Sequence, residues 1–173
     1  MKKFLAVVLA ALMALSMMSF ASAEGAAKKV GIAMPTQSLE RWNRDGAYLK
    51  EQFEAAGYEV ILTYSDNDND KQVNDINNML SQDVDMLIIS CIDSAGLNTA
   101  LDVALEKGVP VIAYDRMIED DAVSYYVSFD NYTVGVLQGT FVKEALDLDN
   151  AGDKTFNMEF TGGASTDPNA AYF

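Results

Sequence analysis

The sequence predicts an α/β fold, a doubly wound parallel sheet with helices on both faces, and three observations carry that expectation. Short apolar runs recur along the chain, each too short for a helix. They are continuously apolar instead of alternating, the pattern of strands buried on both faces. Between them lie segments whose apolar residues fall at steps of three and four, the stripe of a helix that packs on a sheet.

The first strand is Lys29 to Met34, stopped by Pro35, which cannot donate to a ladder. From Leu39 the period changes: Trp42, Gly46, Leu49, Phe53 and Ala56 form one helical stripe, which Gly57 terminates. Val60-Ile61-Leu62 predicts the second strand, and Val73, Ile76 and Leu80 the second helix. Met86 to Ile89 follows as a strand, then Leu97, Leu101 and Ala104 on a helix closed by Gly108, then Pro110 to Tyr114 as the fourth strand. Ser124 to Phe129 is expected as a fifth strand, Val134, Leu137, Phe141 and Ala145 as a further helix, and Thr155 to Thr161 as a sixth strand. That last strand precedes Gly162-Gly163 and the start of a helical segment, half of a unit, so the chain reads as cut short.

Composition removes several functions. Half of the residues are apolar and 22 % are charged, which is globular. Twelve Lys and Arg against 26 Asp and Glu leave no basic face to neutralise a nucleic-acid backbone. Histidine is absent, which excludes Ser-His-Asp and Cys-His nucleophiles, HExxH zinc sites and any imidazole base. The only cysteine, Cys91, has no partner within the chain and reads as a small buried hydrophobe. In Asp66-Asn67-Asp68-Asn69-Asp70 the calcium-loop pattern fails, because Lys71 and Asn77 stand where Gly and Glu are required; a turn that caps the second helix is expected.

Residues 1–23 are expected to be a signal peptide. Lys2 and Lys3 precede an unbroken apolar run from Phe4 to Leu15, and Ala21-Ser22-Ala23 is a small-x-small cleavage site. Ser16, Ser19 and Ser22 break the stretch too early for a membrane span. The expected mature protein is acidic, exported and not membrane-spanning, and no cysteine for lipid attachment lies near the cleavage site.

Ligands of an open parallel sheet bind beyond the carboxyl ends of its strands. Those segments are polar here: Gln37, Ser38, Glu40, Arg41 and Trp42 after the first strand, Asp93 and Ser94 after the third, Asp115 and Arg116 after the fourth, and Thr166, Asp167 and Asn169 after the expected sixth. No glycine lies between Pro35 and Asp45, so a phosphate-cradling loop is missing and nucleotides are disfavoured. Arg41-Trp42 and Asp115-Arg116 suit a neutral polyhydroxyl ligand. Carboxylate and guanidinium each engage neighbouring hydroxyls, while an indole face covers the C–H face of a pyranose. A plainer reading stands beside this one, with Trp42 as core, Arg41 solvated and Asp115-Arg116 an ion pair of a loop.

Val30 to Trp42, Val111-Ile112-Ala113-Tyr114-Asp115-Arg116, Val127-Ser128-Phe129-Asp130-Asn131 and Gly162 to Ala170 resemble the periplasmic sugar-binding proteins of ABC importers, in the xylose and multiple-monosaccharide branch. The resemblance implies the type I periplasmic binding protein fold, with the first lobe complete and the second only begun. It divides the chain into a signal peptide (1–23), an N-terminal sugar-binding lobe (24–129) and a hinge crossing with the start of an incomplete C-terminal lobe (130–173). It implies a monosaccharide ligand of xylose-, glucose- or galactose-like form and an ABC permease as partner, with no cofactor, no metal and no catalytic residue. The ligand residues it implies are Gln37, Arg41, Trp42, Asp115 and Arg116 on the first lobe and Asp167 and Asn169 on the second. Delivery to a chemoreceptor or a sensor histidine kinase is the alternative role. A further rival, an exported α/β hydrolase using Asp93 or Asp115, has neither a GxSxG elbow nor a histidine base.

Intact-mass analysis of the protein from its native host is expected to show a chain that starts at Glu24, or within a residue or two. Soluble protein that retains Met1 would overturn the export reading.

Overall fold

The computed structural model describes residues 27–159, 161–163 and 166–171. The apolar segment read as a signal peptide lies outside them. Five strands form a single sheet: β1 (Lys29–Met34), β2 (Glu59–Tyr64), β3 (Met86–Ile89), β4 (Val111–Tyr114) and β5 (Val123–Val127). All pairs are parallel and the order is β2-β1-β3-β4-β5. Four helices accompany them: α1 (Glu40–Ala55), α2 (Asn69–Ser81), α3 (Asn98–Glu106) and α4 (Asn131–Ala145). The doubly wound sheet read from the sequence is the one observed.

Alternate residues of each strand supply two cores. Val30, Ile32, Met34 and Ile88 face α1, where Trp42 is buried beside Leu49 and Phe53. Ala33, Leu87, Ile89, Val111 and Ala113 face α2 and α3, which contribute Ile76, Met79, Leu80, Leu101 and Ala104, with Leu97 from the residue before α3. Space on this second face is short: a Cβ on Gly31 would lie 2.8 Å from both Leu87 Cδ2 and Met79 Sδ, so the α2 side of β1 admits only glycine without a shift. Gly57 closes α1 at φ +90°, where a side chain would be strained. Asp68 caps α2 by accepting from the Lys71 backbone N–H at 3.0 Å, so the acidic run is the helix-capping turn that its composition predicted.

Residues 115–122 connect β4 to its parallel neighbour without a helix, and Ile118 and Ala122 of this strap are buried in the α2–α3 core in a helix's place. β5 is an edge strand with Tyr125, Tyr126 and Val127 exposed.

Two features differ from the two-period reading. The expected sixth strand is not formed: residues 154–159 and 161–163 carry no regular structure. A strand exists by its ladder, and neither free edge of the sheet receives this segment. Helix α4 forms as expected, yet none of its residues is buried, and Tyr132, Leu137 and Phe141 are exposed. Its neighbour is the 3₁₀ turn Leu148–Asn150, tied by a 3.0 Å ion pair from Lys143 to Asp149. No helix among the described residues is long and apolar enough to cross a membrane.

This division of labour predicts unequal mutational costs. Leu101→Ala, at a site with no exposed surface, is expected to cost about 2–5 kcal/mol in urea unfolding. Phe141→Ala on α4, 71 % exposed, is expected to change stability by less than about 0.5 kcal/mol. A large cost at Phe141 would mean that α4 is packed.

Candidate functional site

The polar residues gather at the carboxyl edge, as the topology demands. In the order β2-β1-β3 the chain reverses direction across the sheet between β1 and β3, and the crevice opens there. Arg41 and Trp42 lie in the first turn of α1, directly after the turn that follows β1, and Asp115 and Arg116 directly follow β4.

Asp115 is the centre. Its backbone is left-handed, φ +64°, a conformation that costs a non-glycine residue free energy unless the surroundings hold it. The Asp115 N–H donates to the Val127 carbonyl at 2.7 Å, and its own carbonyl accepts from the Ser128 hydroxyl at 2.8 Å and the Tyr126 hydroxyl at 3.1 Å. This turn sends the Asp115 carboxylate, which is mostly buried, to the Arg41 guanidinium. Asp45, one helical turn after Arg41, lies 3.6 Å from the same guanidinium and accepts from the Tyr114 hydroxyl at 3.3 Å.

The guanidinium carbons of Arg41 and Arg116 lie 4.6 and 5.5 Å from the centre of the Trp42 ring. The indole is only 4 % exposed, so it is at once core and floor of the site. Arg116 is tied further by donating to the Cys91 carbonyl at 2.9 Å and by an ion pair with Asp167 at 3.4 Å. Burial opposes the Arg41 charge, but its hydrogen bond to Asp115, the Asp115 charge and that of Asp45 outweigh it and raise the pKa above the ordinary arginine value. For Tyr114, burial and then the negative Asp45 both raise the phenol.

The structure therefore brings together six of the seven residues singled out by sequence: Arg41, Trp42, Asp115, Arg116, Asp167 and Asn169. Asp167 and Asn169, expected to begin the second-lobe wall, contact this edge. The Asn169 amide donates to the Asp115 carbonyl, its Oδ1 accepts from Tyr126 at 2.9 Å, and the Thr166 carbonyl accepts from the Ser94 N–H at 3.3 Å. Gln37 stands apart, exposed in the turn after β1, with no hydrogen bond to this cluster among the described residues. Asp93 accepts from the Ala95 N–H at 3.0 Å and so caps a local turn.

Sequence reasoning missed Asp45, Tyr126, Ser128 and Phe129. The last two directly follow β5, so the carboxyl-end rule applied to the fifth strand would have found them. Phe129 is 70 % exposed, with the Arg41 guanidinium 5.7 Å from its ring. A cleft of about 160 Å³ is lined by Arg41, Tyr114, Asp115, Val127, Ser128 and Phe129.

Residues 30–173 match the family model described as periplasmic binding protein domain. The chain belongs to that family. The domain is 44 % identical over 145 residues to the multiple sugar-binding periplasmic protein SbpA of Azospirillum brasilense, covering 83 % of this chain and 40 % of that protein. It is 34 % identical to the D-xylose-binding periplasmic protein of Escherichia coli K12, covering 84 % of this chain and 42 % of the relative. Among solved structures, an ABC transporter solute binding protein from Clostridium phytofermentans with bound β-D-glucose superposes with a TM-score of 0.81 at 48 % identity, over 84 % of this chain and 45 % of that one. The periplasmic binding protein domain described here thus spans about two fifths of the length of these curated relatives.

Cys91 of this domain is fully buried, with its thiol 3.6 Å from the Met117 carbonyl. Burial pushes its pKa up from 9.0 to about 12, and the charge of Arg116 offsets only part of that. Because the folded thiol holds its proton more tightly than the unfolded one, the neutral thiol's contribution to stability is intact below pH 9 and is lost progressively between pH 9 and about 12. At pH 8 the native thiol is expected to react with a disulfide reagent on the order of a thousandfold more slowly than in urea. Equal rates would place Cys91 at the surface.

Proposed function

We propose that the carboxyl edge of this sheet is one wall of a monosaccharide cleft, in an exported solute-binding protein that passes a xylose-, glucose- or galactose-like sugar to an ABC permease. The observation that carries this is the paired Asp115–Arg41 contact, flanked by Arg116 at the mouth of the sheet's switch point. A carboxylate and two guanidiniums within one crevice offer acceptors and donors at the spacing of vicinal hydroxyls. Of the relatives named above, two are sugar-binding periplasmic proteins and the third, a solute binding protein, holds β-D-glucose. Phe129 is the open aromatic face beside these groups, and Trp42 underlies them, so the apolar face of a sugar ring would rest on Phe129.

On this reading the protein is not an enzyme. It acts by capture and release: sugar contacts groups of two lobes, and the closed form is what a permease recognises. The first lobe ends near Phe129, and the crossing begins at Asp130, whose carboxylate caps α4 by accepting from the Thr133 hydroxyl and N–H. The unpacked state of α4 supports a boundary at that point. The signal peptide over residues 1–23 would deliver the protein to the periplasm.

Trp42 is the only tryptophan, so its emission reports on the two guanidiniums beside it. Titrating glucose, xylose, galactose and ribose into this chain is expected to give a saturable change with at least one of them. One wall of contacts supports binding in the millimolar range, about −4 kcal/mol. Asp115→Ala, which removes the carboxylate and leaves Arg41 only its longer ion pair with Asp45, is expected to cost about 2–4 kcal/mol and to abolish the response. No response from the native chain, or an unchanged one from Asp115→Ala, would overturn the reading.

A further inference from the structure

We infer that Ser128 and Tyr126, two side chains of β5 and its end with no hydrogen bond to a guanidinium among the described residues, are positioning residues for sugar recognition because they hold the Asp115 backbone in the conformation that aims its carboxylate. The inference rests on the sugar reading above and assigns it two further residues.

Asp115 stands at φ +64° with no glycine to make that cheap. Its neighbour Tyr114 ends β4 in ordinary extended backbone, so the chain turns sharply at this one residue. Every polar group of the Asp115 backbone is met from β5 or the residue after it: Val127 accepts from its N–H at 2.7 Å, and its carbonyl receives the Ser128 hydroxyl at 2.8 Å and the Tyr126 hydroxyl at 3.1 Å. The third donor to that carbonyl is the Asn169 amide. Tyr126 has one proton for two acceptors, the Asp115 carbonyl and Asn169 Oδ1 at 2.9 Å, so Ser128 is the donor whose bond to Asp115 is undivided.

The consequence is geometric. Without these donors the Asp115 backbone keeps only the Val127 carbonyl, the Asn169 amide and the Arg41 contact against its strain, and it shifts towards an ordinary right-handed or extended conformation. A change in φ at Asp115 swings its carboxylate away from Arg41 and moves Arg116, the next residue, off the Cys91 carbonyl and the Trp42 ring. Three groups of the proposed wall therefore depend on two hydroxyls that need not contact the sugar. Pre-organisation of this kind enters affinity by removing an ordering cost, not by adding a contact.

The test uses the full chain and the Trp42 emission titration with whichever of glucose, xylose, galactose and ribose it binds. Ser128→Ala and Tyr126→Phe are each expected to weaken binding by roughly three- to tenfold, the factor that loss of one hydrogen bond confers. Ser128→Thr keeps the hydroxyl and is expected to restore native affinity. Val103→Ala, a core truncation on α3 at the opposite face, supplies a variant destabilised without touching Asp115 and is expected to bind as the native chain does. Unchanged affinity in both hydroxyl variants would overturn the inference, as would a loss in Val103→Ala that matches theirs, or Ser128→Thr binding no better than Ser128→Ala. A native chain silent to all four sugars would overturn the sugar reading and this inference with it, whereas native binding with unaffected variants overturns the inference alone.

Discussion

Burial of the sheet on both faces is the constraint from which the rest of this structure follows. β1 and β3 have nearly every side chain inside a core, with Ile32, Met34, Leu87 and Ile89 fully enclosed. A strand sealed on both faces has nowhere to place a polar side chain except beyond its ends. The helices run back from the carboxyl edge, so that edge is where the loops leave the core and where charge can meet solvent. Arg41, Asp45, Asp115 and Arg116 are together because the interior excludes them all.

Within that edge the charges are organised by one bend of the backbone. The left-handed Asp115 turns the chain out of β4 and places a carboxylate over α1 and a guanidinium over the Trp42 ring in consecutive residues. The carboxylate offsets the desolvation of Arg41, and the indole offers its negative face to both guanidiniums. Such a pair keeps its charge while partly shielded, the state in which a hydrogen bond to a neutral hydroxyl contributes most. The strain at Asp115 is carried by the edge strand β5, so the least buried strand of the sheet supports its most constrained residue.

The periphery behaves differently from the centre. β5 and α4 form, yet Tyr125, Leu137 and Phe141 on them are exposed, as is Phe129 between them, while Thr166 reaches back to Ser94 through one hydrogen bond and Asn169 to Asp115 and Tyr126 through two. Local propensity and a side-chain cap at Asp130 suffice to define α4, since its hydrogen bonds close within the helix. The segment from Thr155 to Thr161 has no such recourse. Its bonds must come from another strand, and an apolar β-prone composition cannot supply one.

Reading the sequence alone determined the alternation of strands and helices, the class of sheet, the stops at Gly57 and Gly108, the cap at the acidic run, and the edge on which Arg41, Trp42, Asp115 and Arg116 would fall. All of these rest on period, composition and local backbone chemistry, which a linear chain displays. Tertiary structure alone decided that Trp42 is buried beneath two guanidiniums, that Asp167 and Asn169 reach Arg116 and Asp115, and that Gln37 has no hydrogen bond to them among the described residues. It also decided that the described residues of the expected sixth strand join no ladder, and that Tyr126 and Ser128 converge on one carbonyl. The physical reason is common to each. Hydrogen bonds between strands, ion pairs and ring contacts join residues such as Arg41 and Asp115 that are 74 positions apart, and no local pattern records which distant group will be opposite.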